Sequence, residues 1–249
     1  MRASEYQAFV DESDQFKERD TPKRFAIAIY GLAGEVGSVA AAIKKRLFSD
    51  RDANWRITSE EIEEELGDAF WYCFQLASLL QPNRDGCILS LCIQNLRTEI
   101  GADDERARRI REVLTPERST QFLEAASRFP RNASDISFDE YQALAFLTAR
   151  TTDATLVEVC LTVLWQLNAE LLRPRLPTIE RELNTTLPDR EMNTVLGEVI
   201  WHLAALASIY GLKLNDIVDR NTKKVNARRN RSQKTPLHDR DYKPAEQLP

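Results

Sequence analysis

Glu35 is the first residue in the chain that demands a chemical account. It sits in "GLAGEVGSV", Gly31 to Val39, one carboxylate among small and apolar residues, with Ser38 three positions on. A second acid set follows in "SEEIEEELGD", where Glu61, Glu65 and Asp68 recur at steps of four and three and Tyr72 continues the line. At about 100° per residue these four form one narrow helical stripe. It runs beside the apolar Ile62, Leu66 and Cys73, so its acids point towards a neighbouring helix. Two such helices packed antiparallel would gather Glu35, Glu65 and Asp68. Bare carboxylates crowded there repel one another and are costly to desolvate, and a hard divalent cation removes that cost. Mg²⁺ suits an all-oxygen donor set and keeps waters and substrate phosphates in its octahedron. The plainer reading of the acidic run is a helix start that complements the macrodipole. Glu35, alone in an apolar run, does not fit that plainer reading.

Other chemistries find less support. Two histidines assemble no Ser-His-Asp set, and there is no Walker-type glycine-rich loop. His202 follows Glu198 by four residues, a spacing that suits a metal pair, but the Glu-x-x-His of a di-iron bundle is missing. Lys44 and Lys45 close the first acid helix, either as phosphate contacts or as solvated cations at a helix C-terminus. Trp71 and Trp201 read as core or interface aromatics.

The elements that must position these residues are helical. Leu32, Val36, Val39, Ile43 and Leu47 recur at steps of four and three, as do Ile62, Leu66, Ala69, Cys73 and Leu76. Leu196, Ile200, Leu203 and Ala207 repeat the pattern, followed by Leu214, Ile217, Val218 and Val225. Thr21-Pro22 and Ser59 suit helix starts. Breakers fall at 82–86, 130–134, 174–177 and at Pro188. Alternating strand patterns are missing, so the expected class is all-α.

The 249 residues carry a net charge of −5, with 43% hydrophobic and 29% charged residues, an ordinary globular balance with room for a large core. The mild acidity argues against nucleic acid as a partner, and the basic run "KKVNARRNRSQK" reads as a charge-complemented helix end. Cys73, Cys87, Cys92 and Cys160 form no CxxC pair, which predicts free thiols in a reducing compartment. The start "MRASEYQAFVDESDQF" predicts no secretory signal, and no apolar run is expected to span a bilayer. The expected location is the cytoplasm, where the sequons at Asn132 and Asn184 carry no meaning.

The chain also repeats itself. "EYQAF" from Glu5 returns as "EYQAL" from Glu140, and "LGDAFWYCFQLASL" from Leu66 returns as "LGEVIWHLAALASI" from Leu196. Tyr6 precedes Glu35 by 29 positions, and Tyr141 precedes Glu170 by the same 29. A third block sets "ILSLCIQNLRTEI" from Ile88 against "LNDIVDRNTKKVN" from Leu214, with Asn95 opposite Asn221. The expected organisation is one unit over 1–130, a related unit over 137–232 and a tail over 233–249.

"GLAGEVGSVAAAIKK" followed by "EEELGDAFWY" resembles the MazG-like all-α NTP pyrophosphohydrolases, which carry ExxE on one helix and ExxD on the next within four-helix units. The likeness is best over Tyr6 to Leu80, and "LGEVIWHLAALASIYGLKLNDIVDRNTKKVNARR" looks like the closing helices of that family. It implies Mg²⁺-dependent cleavage of a nucleoside triphosphate to a monophosphate and pyrophosphate. Glu35 then takes the first acid of ExxE, Glu65 and Asp68 fill ExxD, and Ser38 replaces the second acid of ExxE. Glu61, one turn before Glu65, is the candidate substitute, and the Ser38 hydroxyl could hold a metal-bound water. Asn221 and Lys224 match the Asn-x-x-Lys of the last helix in that family, with Arg228 one turn on, and are expected to grip the triphosphate.

The two halves are complementary under this alignment. The first keeps Glu35, Glu65 and Asp68 but sets Thr98 opposite Lys224. The second keeps Asn221 and Lys224 but sets Glu170, Arg173, Val195 and Glu198 opposite the acids and Ser38. The expectation is two fused four-helix units in one pseudo-dimeric bundle, open to further homodimerisation, with one composite site. The competing expectations are a catalytically weak nucleotide-binding sensor and a helical interaction module.

Overall fold

The computed structural model describes residues 1–49, 59–80, 87–102, 108, 114, 116–129, 136–149, 154–172 and 191–234. The breakers expected at 82–86, 130–134, 174–177 and 188, both sequons, Arg173 and the tail beyond 234 lie outside the described residues. Among the described residues the regular elements are α-helices. They are α1 (Ala3–Ser13), α2 (Thr21–Ser49), α3 (Ser59–Leu80), α4 (Ile88–Gly101) and α5 (Pro116–Ala126), then α6 (Phe138–Leu147), α7 (Ala154–Leu172), α8 (Met192–Ile209) and α9 (Leu214–Lys234). The all-α class expected from the periodicity is observed. Helix α5 was not anticipated, since its short run buries only Ser119, Phe122 and Ala126 and so writes a thin apolar stripe.

The apolar stripes bury almost as read. Leu32, Val36, Val39, Ile62, Leu66, Ala69, Cys73, Leu76, Leu196, Ile200, Leu203, Ala207, Leu214, Ile217 and Val218 are all inaccessible to solvent. Leu47 departs from its stripe and is 64% exposed. All four cysteines are free and buried, as expected.

Helices α3 and α8 form the centre. They pack on each other, α3 takes α2 along its length, and α8 takes α7. The third aligned block crosses over between the halves: α9 packs on α3, and α4 packs on α8. Sequence-matched residues make matched bonds. Trp71 donates to the Ser13 hydroxyl at 3.1 Å, and Trp201 donates to the Thr148 hydroxyl at 2.8 Å. Gln7 donates to Ser78 at 2.8 Å, and Gln142 donates to Ser208 at 3.0 Å.

The α8–α9 corner fixes where α9 starts. Gly211 takes φ +67°, a left-handed conformation that glycine adopts without a side-chain penalty, and Leu212 N–H closes the helix end on Ala207 O at 2.9 Å. Two of the unpaired N–H groups at the start of α9 are then met from α6: Leu214 N donates to Gln142 Oε1 and Asn215 N to Asp139 Oδ1.

One expectation is corrected here. Residues Thr21–Leu47 and Met192–Ile209 are long and apolar enough to cross a membrane by length and composition, because α2 carries few charges between Arg24 and Lys44. Helix α8 lies mostly inside the protein, and α2 carries a carboxylate that meets two others, as described next.

Candidate metal centre

Glu35 from α2 meets Glu65 and Asp68 from α3, with one carboxylate oxygen of each lying within 4.8 Å of the others. Two glycines permit the approach of the neighbouring helices. A Cβ on Gly31 would fall 2.2 Å from the Tyr72 ring, so that ring lies directly on the α2 backbone. A Cβ on Gly67 would fall 3.0 Å from Asn221 Cβ and 3.3 Å from Ile217 O, which brings α9 close against α3.

The acidic run divides by direction. Glu63 accepts from Arg220 at 2.9 Å, Glu64 meets Lys224 at 2.5 Å and Glu61 meets Lys45 at 3.3 Å. Glu65 and Asp68 turn instead towards Glu35. The run thus divides into acids paired with cations of α2 and α9 and acids that gather at Glu35.

Burial, then the charges of Asp68 and Glu65, raises the Glu35 carboxyl to about 7, with Lys224 opposing. Burial and Asp68 also raise Glu65, whose carboxylate shares a hydrogen bond with Glu35. Such crowding is what a multivalent cation would relieve. In an octahedron of Mg²⁺ radius, neighbouring oxygens stand roughly 3 Å apart and opposite ones roughly 4 Å, so the three groups fit after a small inward movement.

Asp68 is held from α9. Asn221 donates to Asp68 Oδ1 at 2.8 Å and accepts from the Tyr6 hydroxyl at 2.9 Å, and that hydroxyl fixes which end of the amide faces Asp68. Lys224 donates to Asp68 Oδ2 at 2.5 Å. Burial pulls the Lys224 ammonium down, but Asp68 and Glu64 outweigh it and hold the group above its ordinary value.

A cleft of about 190 Å³ opens beside the acids, lined by Phe16, Glu35, Asp68, Trp71, Tyr72 and Arg228 among others. The structure thus brings together Glu35, Glu65, Asp68, Asn221 and Lys224, with Arg228 at the rim. Glu61 stands apart with Lys45, Lys44 is exposed away from the cleft lining, and Ser38 is half-buried one turn from Glu35. Sequence reasoning missed Ser13, Gln15 and Phe16 as cleft residues: Ser13 ends the buried stripe of α1, and Gln15 and Phe16 follow beyond that helix. It also missed Tyr6 as the anchor of Asn221, although its place in the repeated "EYQA" was the available signal.

No family model matches the chain, and no solved structure matches it. The Gene 37 protein of Mycobacterium phage L5 is 39% identical over 64 residues, which cover 24% of this chain. The matched stretch spans about half, 54%, of that phage protein.

Proposed function

We propose that the protein is a Mg²⁺-dependent nucleoside triphosphate pyrophosphohydrolase built as a MazG-like pseudo-dimer with one composite site. The observation that carries this reading is the convergence of Glu35, Glu65 and Asp68 with Lys224 and Asn221 seated on Asp68. Glu35, Glu65 and Asp68 would hold the ion. When bound, Mg²⁺ supplies positive charge against the phosphates and orders water. The Tyr6–Asn221 pair aims Asp68, and Lys224 and Arg228 bring cationic charge to the edge where phosphates would lie. The reaction is in-line attack of water on the α-phosphorus, which breaks the bond to the bridging oxygen and releases pyrophosphate, while a carboxylate beside the water takes its proton. The crossing of α4 and α9 between halves supports the fused-unit reading, and four reduced, buried cysteines agree with a cytoplasmic site of action.

Incubating the protein with each NTP and dNTP, with and without Mg²⁺, tests the proposal through pyrophosphate release. One observation favours a second reading: three carboxylates, one already paired with Lys224, suit nucleotide binding without turnover. Tight binding with no pyrophosphate would select that sensor. Neither binding nor release would leave a helical interaction module.

A further inference from the structure

A second cavity, of about 250 Å³, lies between α4 and α8. Cys92, Asn95, Glu99, Glu198, Trp201 and His202 line it with three further residues. In the internal alignment Glu198 stands where Asp68 does, Trp201 where Trp71, His202 where Tyr72 and Asn95 where Asn221. Gly197 matches Gly67, and a Cβ there would come within 3.1 Å of Cys92 Sγ. A glycine thus stands at a close helix approach in each half.

The chemistry of the wall differs. Lys224 is replaced by Thr98, Arg228 by Ala102 and Glu65 by the buried Val195. Glu170, in the place of Glu35, is 5% exposed and accepts from Gln166 of its own helix. Both cations of the first cleft and one of its three acids thus have no equivalent in the alignment. His202 Nδ1 lies 2.7 Å from the Glu198 carbonyl oxygen, which can only accept, so Nδ1 carries the proton and Nε2 is left as an acceptor. Burial lowers the proton affinity of the imidazole against the opposing pull of Glu198, which keeps the ring neutral near pH 7. With the carboxylates of Glu99 and Glu198, the wall is rich in acceptors beside a flat indole. Its volume falls just below the ~300–1,000 Å³ of drug-sized sites, a size for one compact ring system.

We propose that the α4–α8 cavity binds a phosphate-free heterocycle bearing an exocyclic amino group, in the form of a nucleobase or nucleoside. The exocyclic amino group would donate to this wall, and a triphosphate would meet carboxylates instead of lysine. The choice of a nucleobase rests on the nucleotide reading of the first cleft. The donor-rich, phosphate-free character rests on the residues of this cavity.

Calorimetric titration of the full-length protein with cytidine, adenosine, guanosine and thymidine tests this. At least one amino-bearing nucleoside should bind, and at least tenfold more tightly than thymidine. The Glu99→Leu/His202→Leu double variant should weaken that binding at least tenfold, and Asp68→Asn should leave it unchanged. Asn95→Leu, at a half-buried position, serves if the double variant fails to fold. Absence of binding by all the amino nucleosides, equal binding of thymidine, or loss through Asp68→Asn with retention in the cavity variants would each overturn the proposal. Pyrophosphate release is read separately, so failure of the first-cleft reading leaves this outcome distinguishable.

Discussion

The cleft beside α3 and α9 and the cavity between α4 and α8 are built from matching helices with a glycine at each crossing, yet only the first brings cations and three converging acids together. In the first, three carboxylates meet and a lysine sits on one of them. In the second, valine and threonine replace the key acid and the lysine, and the remaining polar groups are mainly acceptors. Backbone shape was retained on both sides while the charged groups diverged. Helix packing depends on a few small and apolar positions, whereas a metal centre depends on every ligand. One lost carboxylate can abolish a centre without disturbing the crossing that holds it.

The largest expected effect comes from removing the acid that the two halves share. Asp68→Asn should lower Mg²⁺-dependent pyrophosphate release by roughly 10²–10³-fold, the range seen when one electrostatic stabiliser of a transition state is lost. It should also abolish the rise in melting temperature on adding Mg²⁺. Turnover near that of the parent protein would remove the distinction between the two cavities.

Lys224→Ala comes next, with a loss comparable to Glu65→Gln if the site is composite. Steady-state kinetics of the two variants side by side decide the matter: a Lys224→Ala enzyme that turns over normally confines the site to the first half.

Gly67→Ala tests the crossing itself. The added methyl must displace Asn221 and the α9 backbone, at a cost of about 1–3 kcal/mol in denaturant unfolding and with weaker Mg²⁺ binding.

A smaller effect is expected from pH. Glu35 titrates near 7 in the folded protein, above its unfolded value of 4.5, so the folded state holds this proton more tightly. Its contribution makes the metal-free protein lose stability as pH rises from about 4.5 to about 7, with no further loss above. Mg²⁺ affinity should rise over the same window as the proton leaves. Thermal melts at pH 5 and pH 8, with and without Mg²⁺, test both signs. A metal-free protein that gains stability across this window would remove Glu35 from the centre.

The smallest expected change is Ser38→Glu. An acid one turn after Glu35 should raise Mg²⁺ affinity a few-fold, measured by calorimetry, if the centre is short of one ligand. No change, together with an inactive Glu61→Ala, would mean that Glu61 moves into the centre on metal binding despite its contact with Lys45.

Much of the helical framework was legible because it is local. Leu32, Val36 and Val39 recur with the helical period, and each is buried. The period does not report which neighbour covers a position: Leu47 continues the same stripe and is exposed. It was also weak for α5, whose contact with the rest rests on few side chains. Glu35, Glu65 and Asp68 were legible by spacing, since one helical turn places two of them together and an apolar context singles out the third.

The sequence by itself determined the helical class, the internal repeat and the three acids, because each is a matter of residue type at short spacing. Tertiary structure alone decided which acids gather at Glu35 and which stay with Arg220 or Lys45, with Lys224 meeting both Glu64 and Asp68. It decided that α9 crosses onto α3, so that Tyr6, Asn221 and Asp68 form one hydrogen-bonded line. Tyr6 and Asn221 are 215 positions apart in the chain. No local pattern encodes that meeting; it follows from the packing of distant apolar faces and from the glycine that lets two helices approach.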